Sequence, residues 1–224
     1  MHSPHPALGH ISLYNPAQFA CTDWSLACTL LQEHALASLV SVADDGLPLI
    51  THVPLHTTST STAKDWRLLG HLANANPHRA LLHDNAHAVV TVLGPQAYMS
   101  PAVYPDVQRV PTWNYVALHA QVSVRLLTGA EHKDVLLKQL IADHEPSYAQ
   151  QWRDLPGQYT QAMLRAITGF ELEVLSWQLK VKVNQHRPEA AGQLALQAAV
   201  GSPDEKALAV WTQRWHASRD AHKV

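Results

Sequence analysis

Two mainly apolar runs on either side of an acidic turn limit the architecture of this chain more than any other feature. Residues 37–42 and 47–55 are the runs, and Asp44-Asp45-Gly46 lies between them. An Asp-Gly pair in this setting is typical of a tight β-hairpin, because glycine accepts the positive φ that such turns need. The sequence therefore predicts two antiparallel strands near the start of the chain.

Further strands follow, with helices inserted among them. The predicted strands are residues 66–72, 86–93, 113–127 and 167–181, and the second of them ends at a predicted turn, Gly94-Pro95. The predicted helices are residues 22–34, 77–83, 131–144, 158–165 and 203–221. Strands and helices do not alternate regularly, so a mainly β, α+β barrel fits better than a parallel doubly wound sheet.

The domain organisation follows from these elements. We expect a loose N-terminal arm over residues 1–13, one barrel domain over 14–190, and a helical tail over 191–224. Residues 1–12 lack the basic and apolar regions of a signal peptide, and no apolar run is long enough for a bilayer span. We therefore expect a cytoplasmic protein.

Charge and cysteine content exclude several classes of function. The formal net charge is −2, so no overall positive charge favours nucleic acid. Cys21 and Cys28 are seven residues apart on a predicted helix, which separates them by roughly 10 Å, too far for a disulfide. Nucleotide-binding, hydrolase and zinc-protease motifs are missing, and the 16 histidines are scattered, so we expect no metal site.

Residues 71–79 leave a strand and enter a predicted helix that starts at Asn76-Pro77. A helix start offers free N–H groups and a positive dipole end, and His78 and Arg79 add donors that suit a phosphate. Local chemistry favours Asn76-Pro77 as an ordinary capped helix start, and an anion site is the other interpretation that this run leaves open.

Two more runs could contact a ligand. Residues 110–115 combine Trp113 and Tyr115 with Asn114, which suits a flat heteroaromatic ligand but also a packed barrel end. Residues 182–188 gather two cations and two amides after the last strand, which is also the composition of an ordinary solvated loop.

Taken in order, these runs resemble the PaiB-like family of FMN-binding negative transcriptional regulators, which belongs to the FMN-binding split-barrel superfamily. The resemblance covers residues 14 to about 188 and is carried by five motifs, at residues 14–19, 51–55, 70–77, 94–100 and 110–115. It is weakest at residues 182–188, where Asn184 and His186 replace the family's Ser and Asn.

The resemblance implies a split barrel of six antiparallel strands with peripheral helices, FMN as the cofactor, and a homodimer with the flavin near the subunit interface. It assigns an inner strand of the flavin pocket to Thr51, His52, Pro54 and Leu55, and the ribityl chain or phosphate to His71, Ala73 and Asn76. Trp113 and Asn114 would come from the partner edge of the pocket, and Lys182 and Gln185 from the C-terminal loop.

Several functions agree with this resemblance. The family name implies a negative regulator of transcription with DNA as a partner, although the tail mixes Arg214 and Arg219 with acidic residues and offers no basic recognition helix. The alternative is an FMN-dependent oxidoreductase that passes electrons between NAD(P)H and a small acceptor. A haem-handling protein, or a barrel that has lost its flavin and binds other proteins, also agrees with the sequence.

Overall fold

The computed structural model describes residues 13–58, 63–104, 106 and 108–221. The chain divides into two compact units. The first unit comprises the described residues of Met1–His34, Val92–His119 and Gln178–Val224, and the second comprises those of Ala35–Thr91 and Ala120–Trp177. The predicted arm over residues 1–13 lies almost entirely outside the described residues, and the predicted domain boundaries stay predictions.

The strands form one antiparallel sheet. They are β1 Ala20–Cys21, β2 Leu36–Val42, β3 Pro48–Pro54, β4 His56–Thr57, β5 Arg67–Ala73, β6 His87–Met99, β7 Thr112–Leu127 and β8 Ile167–Lys182. Their hydrogen-bonded order is β3-β2-β6-β7-β8-β5-β4, and β1 pairs with β8. The predicted α+β class is confirmed. The strand count is eight in the described chain rather than six, because β1 and β4, each two residues long, carry no sequence periodicity.

Six helices accompany the sheet in the described chain. They are α1 Trp24–Glu33, α2 Ala130–His144, α3 Ala149–Asp154, α4 Gly157–Arg165, α5 Ala191–Val200 and α6 Pro203–Ala221. Asp23 caps α1 by accepting from the Ser25 N–H. No helix in the described part of the chain has the length and hydropathy needed to cross a membrane.

The predicted hairpin is present. Leu36 to Val42 pair with Pro54 to Pro48 in register, and Gly46 in the turn has φ of 81°. Leu39 and Val53 point into the core, whereas Leu36, Val42 and Ile50 remain more than half exposed on the other face. The hairpin therefore buries one face and leaves an apolar face uncovered.

Two local predictions are wrong. Gly94-Pro95 is no turn, because β6 continues through it; a Cβ at Gly94 would lie 2.5 Å from the Leu30 side chain, so the glycine permits close packing by α1. The helix predicted over residues 77–83 is a five-residue 3₁₀ helix, Pro77–Leu81. Helix α3 was not predicted, and α5 lies in the predicted helical tail but before the helix predicted over residues 203–221.

The cysteines are also placed differently from the prediction. Cys21 lies in β1 and Cys28 in α1, because the helix begins only at Trp24. Neither cysteine forms a disulfide with a described residue, and burial raises the pKa of Cys21.

Candidate functional site

In the second unit, Asn76 connects the segment between β5 and the 3₁₀ helix Pro77–Leu81 to β3. Its Oδ1 accepts the His78 N–H at 2.9 Å, and its Nδ2 donates to Thr51 Oγ1 at 3.4 Å. The structure thus brings together two residues that the resemblance assigned to the cofactor. It also weakens the helix-start argument, since a short 3₁₀ helix has little dipole and one of its N–H groups is already used.

His78 is an internal structural group rather than a phosphate donor. The side chain is fully buried, with Nδ1 2.9 Å from Thr51 Oγ1 and Nε2 3.0 Å from Ser41 Oγ. Burial lowers its pKa, so the imidazole is neutral and donates through one nitrogen while it accepts through the other. This network fixes Thr51 in position on β3.

The other predicted residues of the second unit differ in accessibility. His52 is exposed and lies 3.0 Å from the hydroxyl of the serine opposite it on β2, whereas Leu55 is 1% exposed and belongs to the core. Pro54 and His71 are half-buried, and Ala73 is exposed. Burial, with a smaller contribution from His56, lowers the pKa of His71. Strand alternation explains why these residues do not all face one side.

A cleft of about 650 Å³ opens beside Asn76, and we call it the Arg79 cleft. Arg79 Nε donates to Thr168 Oγ1 at 3.0 Å, and that hydroxyl donates to Asn74 Oδ1 at 2.7 Å. Lys133 Nζ donates to the carbonyls of Leu164 and Ile167 at 3.2 and 2.6 Å. Two fixed cations line the cleft, and no carboxylate among the described residues does, so it suits an anion.

Lys133 could not be identified from the sequence. It lies in the first turn of α2, 54 positions after Arg79, and nothing in the local pattern distinguishes it from a solvated lysine. Arg79 was visible as a donor beside Asn76, but its partner Thr168 is distant in sequence.

The four predicted residues of the first unit play different parts. Trp113 is 52% exposed and packs edge-on against Tyr98, with ring centroids 6.3 Å apart. Asn114 is 4% exposed, and its Oδ1 has no hydrogen-bond partner among the described residues. Gln185 holds its own loop, because its Oε1 accepts the Val183 N–H and its Nε2 donates to the carbonyls of Val181 and Gln18. Gln185 therefore shapes the loop through backbone contacts.

Lys182 lines a second positively charged cleft, of about 320 Å³, which we call the Lys182 cleft. Its Nζ donates to Thr112 Oγ1 at 2.5 Å, and burial together with the neighbouring Lys180 lowers its pKa. Arg109 and Arg187 also line this cleft, but the carboxylates of Asp106 and Glu189 lie within 4 Å of their guanidinium groups. The positive charge here is largely compensated, in contrast to the Arg79 cleft.

No group of three or more His, Cys, Asp or Glu side chains suitable for a metal ion occurs in the described residues. The groups available for ligand binding are therefore the cations of the Arg79 cleft in the second unit and the aromatic and amide side chains of the first unit.

Comparison with known proteins identifies the family of this chain. A family model described as "Putative FMN-binding domain" matches residues 13–176. The "Protease synthase and sporulation protein PAI 2" of Bacillus subtilis (strain 168) is 28% identical over 180 residues, which is 79% of this chain and 84% of that protein.

Two solved structures share the fold. The FAD and heme binding protein from Mycobacterium smegmatis aligns with a TM-score of 0.52 and 20% identity over 73% of each chain. The flavocytochrome Anf3 from Azotobacter vinelandii aligns with a TM-score of 0.53 and 17% identity over 74% of this chain and 70% of that one. The predicted split barrel is confirmed. Since the matched segment covers most of the sequence, this chain belongs to the PaiB-like family of FMN-binding split-barrel proteins, and FMN is the cofactor of that family.

Proposed function

We propose that this protein is an FMN-dependent negative regulator of PaiB type, and that the Arg79 cleft holds the phosphate of the flavin. The observation that carries the binding site is the pair of fixed cations, Arg79 and Lys133, in a cleft without a carboxylate among its described lining residues. Its volume of about 650 Å³ lies within the range of small-molecule sites, roughly 300–1,000 Å³.

Each cation in the cleft has donors left for an anion. Arg79 uses Nε for Thr168, which fixes the plane of the guanidinium and directs the remaining N–H groups. Lys133 has three N–H donors, and the two carbonyls that it contacts use two of them. Charge-assisted bonds to a phosphate are the strong kind, so these two side chains would supply much of the affinity. Asn76 lines the cleft and donates to Thr51 Oγ1, so we propose that Asn76 contacts the ribityl chain or the phosphate and that Thr51 contacts the flavin beside it.

Comparing FMN with riboflavin tests this assignment, because the two differ only in the phosphate. We expect Arg79→Gln to weaken FMN binding by about tenfold or more, since a bond to a charged group is worth about 1.5–3 kcal/mol. Riboflavin binding should stay unchanged. Arg153→Gln, on the surface of α3, is the matched control. Quenching of flavin fluorescence gives both affinities, and equal loss for the two flavins would contradict a phosphate site in this cleft.

The regulatory role is supported by likeness to the Bacillus protein, whose name refers to protease synthesis and sporulation. The described tail offers little to DNA: Arg214 forms a two-pronged ion pair with Glu33, and Arg219 stacks over Trp215. We therefore expect any DNA contact to come from elsewhere in an assembled dimer. Fluorescence anisotropy with DNA from upstream of its own gene should show binding that depends on FMN and falls steeply with salt. Equal, salt-insensitive signals with and without FMN would argue against a regulator that binds DNA.

The proposed homodimer is supported by the uncovered face of the hairpin. Leu36, Val42 and Ile50 are 67%, 67% and 54% exposed, and β3 lies at the end of the strand order. An apolar face beside a free strand edge favours association with a second copy. Light scattering should give a dimer for the natural chain and a monomer for Ile50→Lys, whereas Val135→Lys, on the exposed surface of α2, should remain dimeric. We also propose a cytoplasmic location, which agrees with two cysteines that form no disulfide with a described residue.

The alternative function, an FMN-dependent oxidoreductase, is favoured by His71. This half-buried imidazole, whose pKa is lowered by burial, lies on β5 in a motif assigned to the flavin. FMN would supply hydride and electron transfer. Steady NADH oxidation by the FMN-loaded protein that falls in His71→Gln would favour this alternative over a purely regulatory flavin.

A further inference from the structure

The first unit contains a third space, smaller than the Arg79 cleft and different in chemistry. It measures about 290 Å³ and is lined on one side by small and aliphatic residues of α5 and α6. These residues are Ala191, Leu194, Ala195, Ala198, Leu208 and Ala209. Met99 of β6 and Val183 add further apolar wall. We call this space the Asn184 cavity.

Two buried amides interrupt the apolar wall. Asn114 is 4% exposed and Asn184 is 3% exposed, and both line the cavity. Asn114 Oδ1 and both Oδ1 and Nδ2 of Asn184 have no hydrogen-bond partner among the described residues. Buried polar groups are almost always paired, so three unpaired atoms on two residues that line the cavity indicate a partner that the described chain does not provide. Exchanging the amide oxygen and nitrogen of Asn184 would not change this, because both are unpaired.

The position of Asn184 is fixed by its surroundings. Its backbone has φ of 61°, an uncommon conformation for a residue other than glycine. Its carbonyl accepts the Arg187 N–H at 2.8 Å, and the adjacent Gln185 side chain ties the loop to three backbone groups. The amide is thus held at the cavity before any ligand arrives, which lowers the entropy cost of binding.

The charged groups at the cavity are already engaged. Glu205 accepts the Ser202 N–H at 2.8 Å at the start of α6, and Arg187 Nη1 lies 3.9 Å from Glu189. A charged ligand would therefore find little unpaired charge, whereas a neutral ligand would find an apolar wall and an amide that can both donate and accept.

We propose that the Asn184 cavity is a second ligand site, for a small, neutral, ring-containing molecule that carries a carboxamide, lactam or imide edge. The ring would pack on α5 and α6, the edge would donate to and accept from Asn184, and an N–H of the ligand would donate to Asn114 Oδ1. Both helices follow residue 176, where the match to the family model ends, so the helical wall of the cavity lies outside the matched segment, whereas Met99 and Asn114 lie within it.

Benzamide is a suitable probe because it has one ring and one carboxamide. Acetophenone, which can accept but not donate, and benzoate, which is charged, are matched comparisons. Ligand-observed NMR titrations of the FMN-loaded protein should show saturable benzamide binding, with acetophenone and benzoate at least about fivefold weaker. No saturable binding, or benzoate binding as tightly as benzamide, would overturn the proposal.

Asn184→Gly tests the amide without straining the backbone, since glycine accepts a positive φ. It should weaken benzamide binding at least about fivefold. Asn85→Gly is the matched control, because Asn85 also has a positive φ, 65°, but is exposed in the second unit. It should leave benzamide binding unchanged. Thermal unfolding and the flavin absorbance of each variant show that it is folded and loaded, and equal benzamide affinities in folded Asn184→Gly and the natural chain would overturn the proposal.

The flavin itself has an imide edge, so competition must also be measured. Benzamide affinity should be the same in flavin-free and FMN-loaded protein. If FMN displaces benzamide, the cavity is a subsite for the flavin ring and the inference of a second ligand is wrong. The phosphate assignment to the Arg79 cleft is tested separately by the comparison of FMN with riboflavin.

Discussion

Replacing Gly70 by alanine should destabilise the second unit through steric overlap alone. A Cβ at this position would lie 2.7 Å from Leu55 Cδ2, 2.7 Å from Phe170 Cε2 and 2.8 Å from Phe170 Cζ. Leu55 is 1% exposed and Phe170 is fully buried, so neither side chain can move into solvent. Gly70 is not among the residues with positive φ, and backbone strain therefore does not contribute.

The size of the effect follows from two opposing contributions. Overpacking a core costs about 1–3 kcal/mol, and replacing glycine by alanine returns about 0.4–1 kcal/mol by restricting the unfolded chain. We expect a net loss of about 1–2 kcal/mol, which for a chain of this length lowers Tm by roughly 2–8 °C. Because Leu55 and His71 belong to the motifs assigned to the cofactor, FMN affinity should fall as well.

Gly192→Ala provides the control. Gly192 lies in α5, and a Cβ there would meet no atom within 4 Å. Alanine is the better helix former, so this variant should gain about 0.5–1 kcal/mol and keep its FMN affinity. Thermal unfolding by circular dichroism and FMN titration measure both quantities. If Gly70→Ala is as stable as Gly192→Ala, the close approach at Gly70 does not limit packing and the reasoning is refuted.

Two further predictions concern pH. Burial lowers the pKa of His78 from 6.5 in the folded chain. Below pH 6.5 the unfolded chain therefore binds a proton that the folded chain does not bind. The free energy of unfolding should fall as the pH decreases from 6.5 to the lower pKa of the folded chain. Urea midpoints measured from pH 8 to 5 should fall less steeply for His78→Gln than for the natural chain. His71 and His186, whose pKa values are also lowered, should account for the pH dependence that remains. Parallel curves for the two proteins would exclude His78 as a source of the pH dependence. Glu33 is held below its usual pKa of 4.5 mainly by its hydrogen bonds to Arg214, so this contribution is present above pH 4.5 and is lost on acidification. For this partly exposed pair we expect Glu33→Gln to cost about 0.5–1 kcal/mol at pH 7 and nothing at pH 3, and a cost that is equal at both pH values would show that the ion pair is not its origin.

Local sequence signals identified most of the fold. The two apolar runs and the Asp-Gly turn located the hairpin, and α1 lies within the helix predicted over residues 22–34. The failures have a common cause: the role of Gly94 depends on Leu30, which lies 64 positions earlier in the chain, and a glycine that admits a neighbouring side chain cannot be distinguished locally from one in a turn.

The site was predicted less completely than the fold. Thr51 and Asn76 came from the family resemblance, and the hydrogen bond between them agrees with a shared role. Lys133 was missed because it reaches the cleft from α2, and the use of Gln185 within its own loop could not be deduced from its type. The role of an Asn or Gln side chain cannot be read from the sequence, because the same amide group can bind a ligand or form hydrogen bonds to the backbone of its own loop.

The segment before β1 limits how this chain can be shortened for experiments. Lys180 is 5% exposed, and its ammonium group is held by the carbonyl of Tyr14 at 2.8 Å and lies over the rings of Tyr14 and Tyr115. Asn15 Nδ2 donates to the carbonyl of Leu179 at 3.0 Å, which ties the same segment to β8. A version that begins after Asn15 would leave a buried ammonium without its acceptor and one of its rings. Residues 14 and 15 are thus an inseparable part of the last strand's environment, and any trimmed form of the protein should begin before them.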